Sequence, residues 1–230
     1  MKYMKRYFKL LKEIPRLLGA NGDPLKIVQD ENVIQRWQDA QRSKLSNKLY
    51  NLEWADIGVI LDDPYVLVLR DLVEFPSGSC GGYIRLFNRA YLEKGAAGVV
   101  MLPEQDGKLL IMKIFRHATR NWHWEIPRGF GEPGINAQEQ AREELKDEVG
   151  GEVAEIINLG LYFSNTGLEG NPIHLFLVKM ISVGMPNWKV GIDKLLWVSV
   201  SEFEQMIASG EITDGFTIAA YARAKLKSLI

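Results

Sequence analysis

The chain has 230 residues, 47% apolar and 25% charged, with a formal net charge of −1. That length gives one domain, or one domain with an extension, and enough apolar material for a sizeable core. The balance is that of a soluble globular protein and excludes a strongly basic surface, so no nucleic-acid partner is expected. Cys80 is the only cysteine, which rules out an intrachain disulfide and fits a reducing, cytoplasmic setting. No run approaches the ~18 consecutive apolar residues of a membrane-spanning helix.

Residues 1–20 carry six basic side chains up to Arg16 against one acid, Glu13. Met4, Phe8, Leu11 and Ile14 or Pro15 recur at helical spacing, so the segment reads as a basic amphipathic helix. It lacks the apolar stretch that opens a secretory signal. Such a helix packs on its own domain or on a dimer partner, or it lies on a membrane surface. A second helix is expected over residues 31–49, with Val33, Ile34 and Trp37 as its contacts.

From Asn51 the pattern changes to strands. Apolar runs over residues 57–61 and 65–72 are separated by Asp62-Asp63-Pro64, a turn signal. Residues 76–82, rich in Gly and Ser, read as a loop containing Cys80, and residues 83–88 as a third strand. Residues 96–103 and 108–115 flank Gln105-Asp106-Gly107, a hairpin signal. Further strands are expected over residues 156–163, 173–180 and 194–200. Ser201 with Glu204 reads as a capping box opening a helix to Ser209, and a last helix is expected over residues 216–229.

The stretch from Trp124 to Gly151 stands apart. Asn136 followed by Glu139 starts a helix that Gly150 and Gly151 stop, and Ala137, Ala141, Leu145 and Val149 form its narrow apolar stripe. Glu144 and Glu148 flank that stripe, within roughly 40° of each other. Glu139, Glu143 and Lys146 face water. Two carboxylates bordering a buried face repel by about 3 kcal/mol at roughly 5 Å and an effective dielectric near 20. A divalent cation removes that penalty, and hard cations such as Mg²⁺ prefer carboxylate oxygen. The acids alone leave a solvated helix without ligand equally open. The loop of residues 127–134 brings three glycines, which let backbone approach a ligand closely.

Together these residues resemble the Nudix hydrolase signature: a glycine, five residues, Glu, seven residues, then Arg-Glu-aliphatic-x-Glu-Glu-x-Gly. With Gly129 as the first glycine, Glu144, Leu145, Asp147, Glu148 and Gly150 fall at the expected spacings. The chain departs from the pattern at Ile135, where the family has the loop Glu, and at Glu143, where it has Arg. It departs again at Asp147 and Gly151. In the family the missing Glu and Arg pair with each other; here both charges are gone, so neither is orphaned. Extra leading strands, the FRHATRNWHWEIPRG run and the ending GEITDGFTIAA resemble the ADP-ribose pyrophosphatase branch over roughly residues 51–222.

The resemblance implies a Nudix-type α/β/α sandwich with a mixed sheet over residues 51–230, preceded by a helical extension over residues 1–50. It implies Mg²⁺-dependent hydrolysis (Mn²⁺ as alternative) of a nucleoside diphosphate linked to another group, such as ADP-ribose or a nucleotide sugar. It further implies a homodimer that exchanges the leading strands at residues 51–95. Glu144, Glu148 and the carbonyl of Arg128 become metal ligands, and Asp147 supports a bridging water. Glu169, the sole acid of the loop at residues 164–172, stands at the place of the general base; a solvated surface acid is the alternative. Arg116 is placed to meet phosphate and Glu125 to bond the nucleoside. Trp124 or Trp122 either stacks a base or packs in the core. The altered signature also admits a nucleotide-binding sensor without hydrolysis.

Overall fold

The computed structural model of the chain describes residues 2–20 and 22–230. They form two compact units. The first comprises the described residues up to 93 with 165–170, the second residues 94–164 with 171–230.

The first unit joins two helices, α1 (Lys2–Glu13) and α2 (Glu31–Ser46), to a four-stranded antiparallel sheet. Its strands are β1 (Lys26–Ile27), β2 (Gly58–Asp62), β3 (Val66–Glu74) and β4 (Cys80–Asn88), and a short helix, α3 (Arg89–Lys94), follows β4. β4 pairs with β3 along its whole length, so β2 and β1 share the opposite edge. α1 turns Tyr7, Leu10 and Leu11 onto Val59, Leu67, Leu69 and Phe87. The apolar face of this basic helix is thus consumed by its own unit. Asp71, wholly buried, accepts hydrogen bonds from Tyr7 Oη at 2.6 Å and Arg85 Nε at 2.5 Å. Burial, then the charge of Asp71, pushes the Tyr7 phenol far upward. The side chain of Asp30 caps α2 by accepting from the Asn32 and Val33 backbone N–H groups.

Cys80 opens β4 rather than lying in a loop. The glycines that follow it, Gly81 and Gly82, are strand positions over which the rings of Phe75 and Trp37 close, at 3.0 and 3.1 Å from where a Cβ would stand. They are small because of those rings.

The second unit has the strands β5 (Gly98–Gln105), β6 (Lys108–Arg116), β7 (Asn121–Glu125), β8 (Arg128–Gly129), β9 (Glu152–Tyr162), β10 (Ile173–Ser182) and β11 (Ile192–Ser199). Its sheet runs β11-β6-β5-β10-β9, with β7 added to β6 and β8 to β5. The β5–β10 pair is parallel and the others antiparallel, so the sheet is mixed. Alternate residues of β5 enter opposite layers. Val99 and Met101 meet α4 (Ala137–Val149) through Ala141, Leu145 and Val149. Val100 and Leu102 meet α5 (Val200–Ala208) and α6 (Gly215–Leu226) through Phe203, Ala220 and Ala224. This is the expected α/β/α sandwich.

The β5–β6 hairpin turns on Asp106 and Gly107, both at positive φ (52° and 76°), as a two-residue turn of the primed kind requires. The capping box of α5 is Ser199 with Glu202, two residues before the expected pair. Glu204 instead accepts from Tyr221 Oη at 2.6 Å. No helix among the described residues is long and apolar enough to cross a membrane.

Candidate active site

α4 starts and stops as its sequence dictates. Asn136 and Glu139 complete a reciprocal capping box, and Gly150 closes the helix in the left-handed conformation (φ 61°). Between these ends the buried stripe fixes the rotation of the helix, and Glu144 and Glu148 emerge half-buried at its margin. Both carboxyls are raised. At Glu144 burial is the main cause; the hydrogen bond from Gln140 opposes it, and the charges of Asp147, Glu132 and Glu143 add to it. Glu148 is pushed up to about 7, chiefly by burial. The Arg128 backbone N–H opposes that shift, the Glu144 charge reinforces it, and Arg116 and Arg128 oppose it. Two acids this costly to ionise beside each other mark the spot where a cation would be stabilised.

The loop supplies the rest. Pro127 O accepts from Met101 N at 3.0 Å, while Arg128 N donates to Glu148 Oε2 at 3.1 Å. The peptide between them therefore spans from β5 to α4. In an antiparallel strand one residue's N–H and C=O face the same edge, which puts the Arg128 carbonyl on the side of the acids. Among the described residues no three His, Cys, Asp or Glu side chains converge as a metal cluster. A pair of carboxylates with one carbonyl is nevertheless a fitting set for Mg²⁺, which keeps several waters and takes further oxygen from phosphate.

Beside this pair lies an arginine–carboxylate network. Glu125, 2% exposed, takes Arg116 Nε and Nη2 at 2.9 and 2.5 Å and Arg128 Nη2 at 3.2 Å. Arg128 also lies 3.8 Å from Asp214 and stacks on Phe216. Asp214 caps α6 through the Thr217 N–H, and Thr217 Oγ1 accepts the Ile126 N–H. Glu125, placed in the sequence as a nucleoside contact, is thus the anchor of both arginines.

The other candidates separate. Asp147 is exposed, close enough for its charge to act on Glu144. Trp124 packs at the edge of the core under the Lys194 ammonium, 5.4 Å from its ring, whereas Trp122 is 45% exposed. Glu169 belongs to the first unit, where it bridges to Leu86. Two residues with roles here escaped the sequence reading. Gln140, four residues before Glu144 on the same flank, is a neutral side chain among acids, and Asp214 entered only as one letter of the GEITDGFTIAA run.

No family model matches the chain. It is 24% identical over 161 residues to an ADP-ribose pyrophosphatase of Bacillus subtilis (strain 168), spanning 69% of this chain and 84% of the relative. It is 22% identical over 175 residues to a CMP-5'-(N-acetyl-N-hydroxy-3-aminopropyl)phosphonate hydrolase of Streptomyces rubellomurinus (strain ATCC 31215), spanning 74% and 82%. A solved structure described as ADP compounds hydrolase superposes with a TM-score of 0.62 at 16% identity, covering 76% of this chain and 93% of that one. The chain carries a Nudix-type fold of the ADP-ribose pyrophosphatase kind.

Proposed function

We propose that this Nudix-like hydrolase cleaves the diphosphate of ADP-ribose or a similar nucleoside diphosphate compound, releasing a nucleoside monophosphate, with Mg²⁺ or Mn²⁺ as cofactor. The observation that carries this is the pair Glu144 and Glu148, half-buried side by side on α4, with the Arg128 backbone N–H donating to Glu148. The relatives' names, both hydrolases and one acting on ADP-ribose, support the substrate class. A divalent cation bound there would supply positive charge to the diphosphate and make a water more acidic.

The protein's own groups do the rest. Glu144, Glu148 and the Arg128 carbonyl would hold the cation, and Asp147 would support a water beside it. Arg116, oriented by Glu125, meets phosphate. Trp124, packed at the edge of the core under Lys194, is the candidate for stacking a base. A homodimer that exchanges the leading strands at residues 51–95 belongs to the same proposal. The test is a panel of nucleoside diphosphate compounds with Mg²⁺ and Mn²⁺. AMP from ADP-ribose is expected; no turnover of any of them would remove the proposal, and nucleotide binding without turnover would make the chain a sensor.

A further inference from the structure

Gln140 is 3% exposed, and both ends of its amide are engaged. Its Oε1 accepts the backbone N–H of Glu132 at 3.1 Å, and its Nε2 donates to Glu144 Oε1 at 3.0 Å. Both partners dictate the orientation, because a backbone N–H only donates and an ionised carboxylate only accepts. An acid at this position would set two carboxylates against each other. An aliphatic side chain would leave the loop N–H without its partner. On its other side the Glu144 carboxyl occupies the space a Cβ would take at Gly129, 1.9 Å from that point. Gly131 closes on the Ala96 and Ala97 backbone in the same way. The loop from Gly129 to Glu132 is thereby tied to one turn of α4, and Glu144 is held between Gln140 and Gly129.

We propose that Gln140 is a positioning residue, which fixes Glu144 and the loop of residues 129–132 in the arrangement that receives a divalent cation. The proposal rests on Glu144 and Glu148 being cation ligands. Positions 135 and 143, Ile135 and Glu143, bring no opposite charges to this loop. A neutral amide braces it instead, and no charge has to be buried to do so. Without Gln140 the incoming cation has to order both the loop and Glu144, and its affinity falls by that cost.

The test follows Mn²⁺ binding to the full chain by loss of the free-ion electron paramagnetic resonance signal, in wild type, Gln140→Ala and Gln140→Met. Outer groups that orient metal ligands are worth about 10–100-fold in affinity, and a weakening of that size is expected. The metal concentration for half-maximal turnover should rise by the same factor, while KM for substrate at saturating metal stays put. A folded variant that binds Mn²⁺ like wild type overturns the proposal, as does a wild type that binds none. In wild type alone, substoichiometric Mn²⁺ should broaden the Gln140 side-chain amide resonances; sharp signals would also overturn it. Gln140-dependent binding without turnover of any nucleoside diphosphate supports the clamp and removes the hydrolase function instead.

Discussion

The backbone N–H of Arg128 donates to the carboxylate of Glu148 at 3.1 Å, so the glycine loop reports directly to the helix twenty residues further along the chain. A glutamine at 148 still accepts that hydrogen bond but carries no charge. Glu148→Gln should therefore keep its fold and lose roughly a hundred- to a thousandfold in kcat, the scale of removing one preorganised electrostatic group. Parallel circular dichroism and AMP-release assays check this; turnover within threefold of wild type would exclude Glu148 from the site.

The same carboxyl makes the metal-free protein sensitive to pH. Its value is about 7 in the folded chain against 4.5 when unperturbed, so the folded state holds the proton more tightly. The stability it contributes is complete below about 4.5 and is lost as pH rises through about 7. In chelator, the melting temperature of wild type relative to Glu148→Gln should fall across that window, and saturating Mg²⁺ should remove the fall. Scanning calorimetry at matched ionic strength decides it, and a relative rise would contradict it.

Gly129→Ala separates fold from site. The new methyl would meet the end of the Glu144 side chain, not backbone, so the carboxyl swings away and the helix stays. Mn²⁺ binding should weaken at least about tenfold, since ligand orientation is lost. Melting should shift by only a few degrees. A crystal of the variant with Glu144 in place would show the crowding to be harmless.

In the first unit, Asp71→Ala leaves Arg85 and Tyr7 facing a buried gap. Removing one partner of a buried ion pair costs about 3–5 kcal/mol. Urea unfolding followed by tryptophan fluorescence should show a loss of that size, and Tyr7→Phe a smaller one of about 1 kcal/mol, the typical worth of one hydrogen bond.

Much of this was legible in the residues. The stripe Ala141, Leu145 and Val149 sets the rotation of α4 and so places Glu144 and Glu148 at its margin. Asp106-Gly107 announced its hairpin because few other pairs accept two positive φ angles. What stayed hidden depended on contacts distant in sequence. Gly81 and Gly82 looked like loop until the rings of Phe75 and Trp37 were seen over them. β7 is five residues long, and its alternation is carried by two tryptophans that local propensity alone does not place. Gln140 carries no charge, and Asp214 sits in a short run after Gly210; each acquires its role only when α4 or α6 is folded against the loop it serves.

Residues 165–170 complete the first unit, where the carbonyl of Leu168 receives the amide of Leu86 and that of Leu86 receives the amide of Gly170. The polypeptide therefore leaves this unit, builds about half of another, and returns before finishing. A ribosome that has released only the first ninety-odd residues has not yet made the piece that seals the flank of β4. Scission after residue 93 would likewise yield a front half with two stranded peptide groups, an invitation to stick to any extended chain nearby.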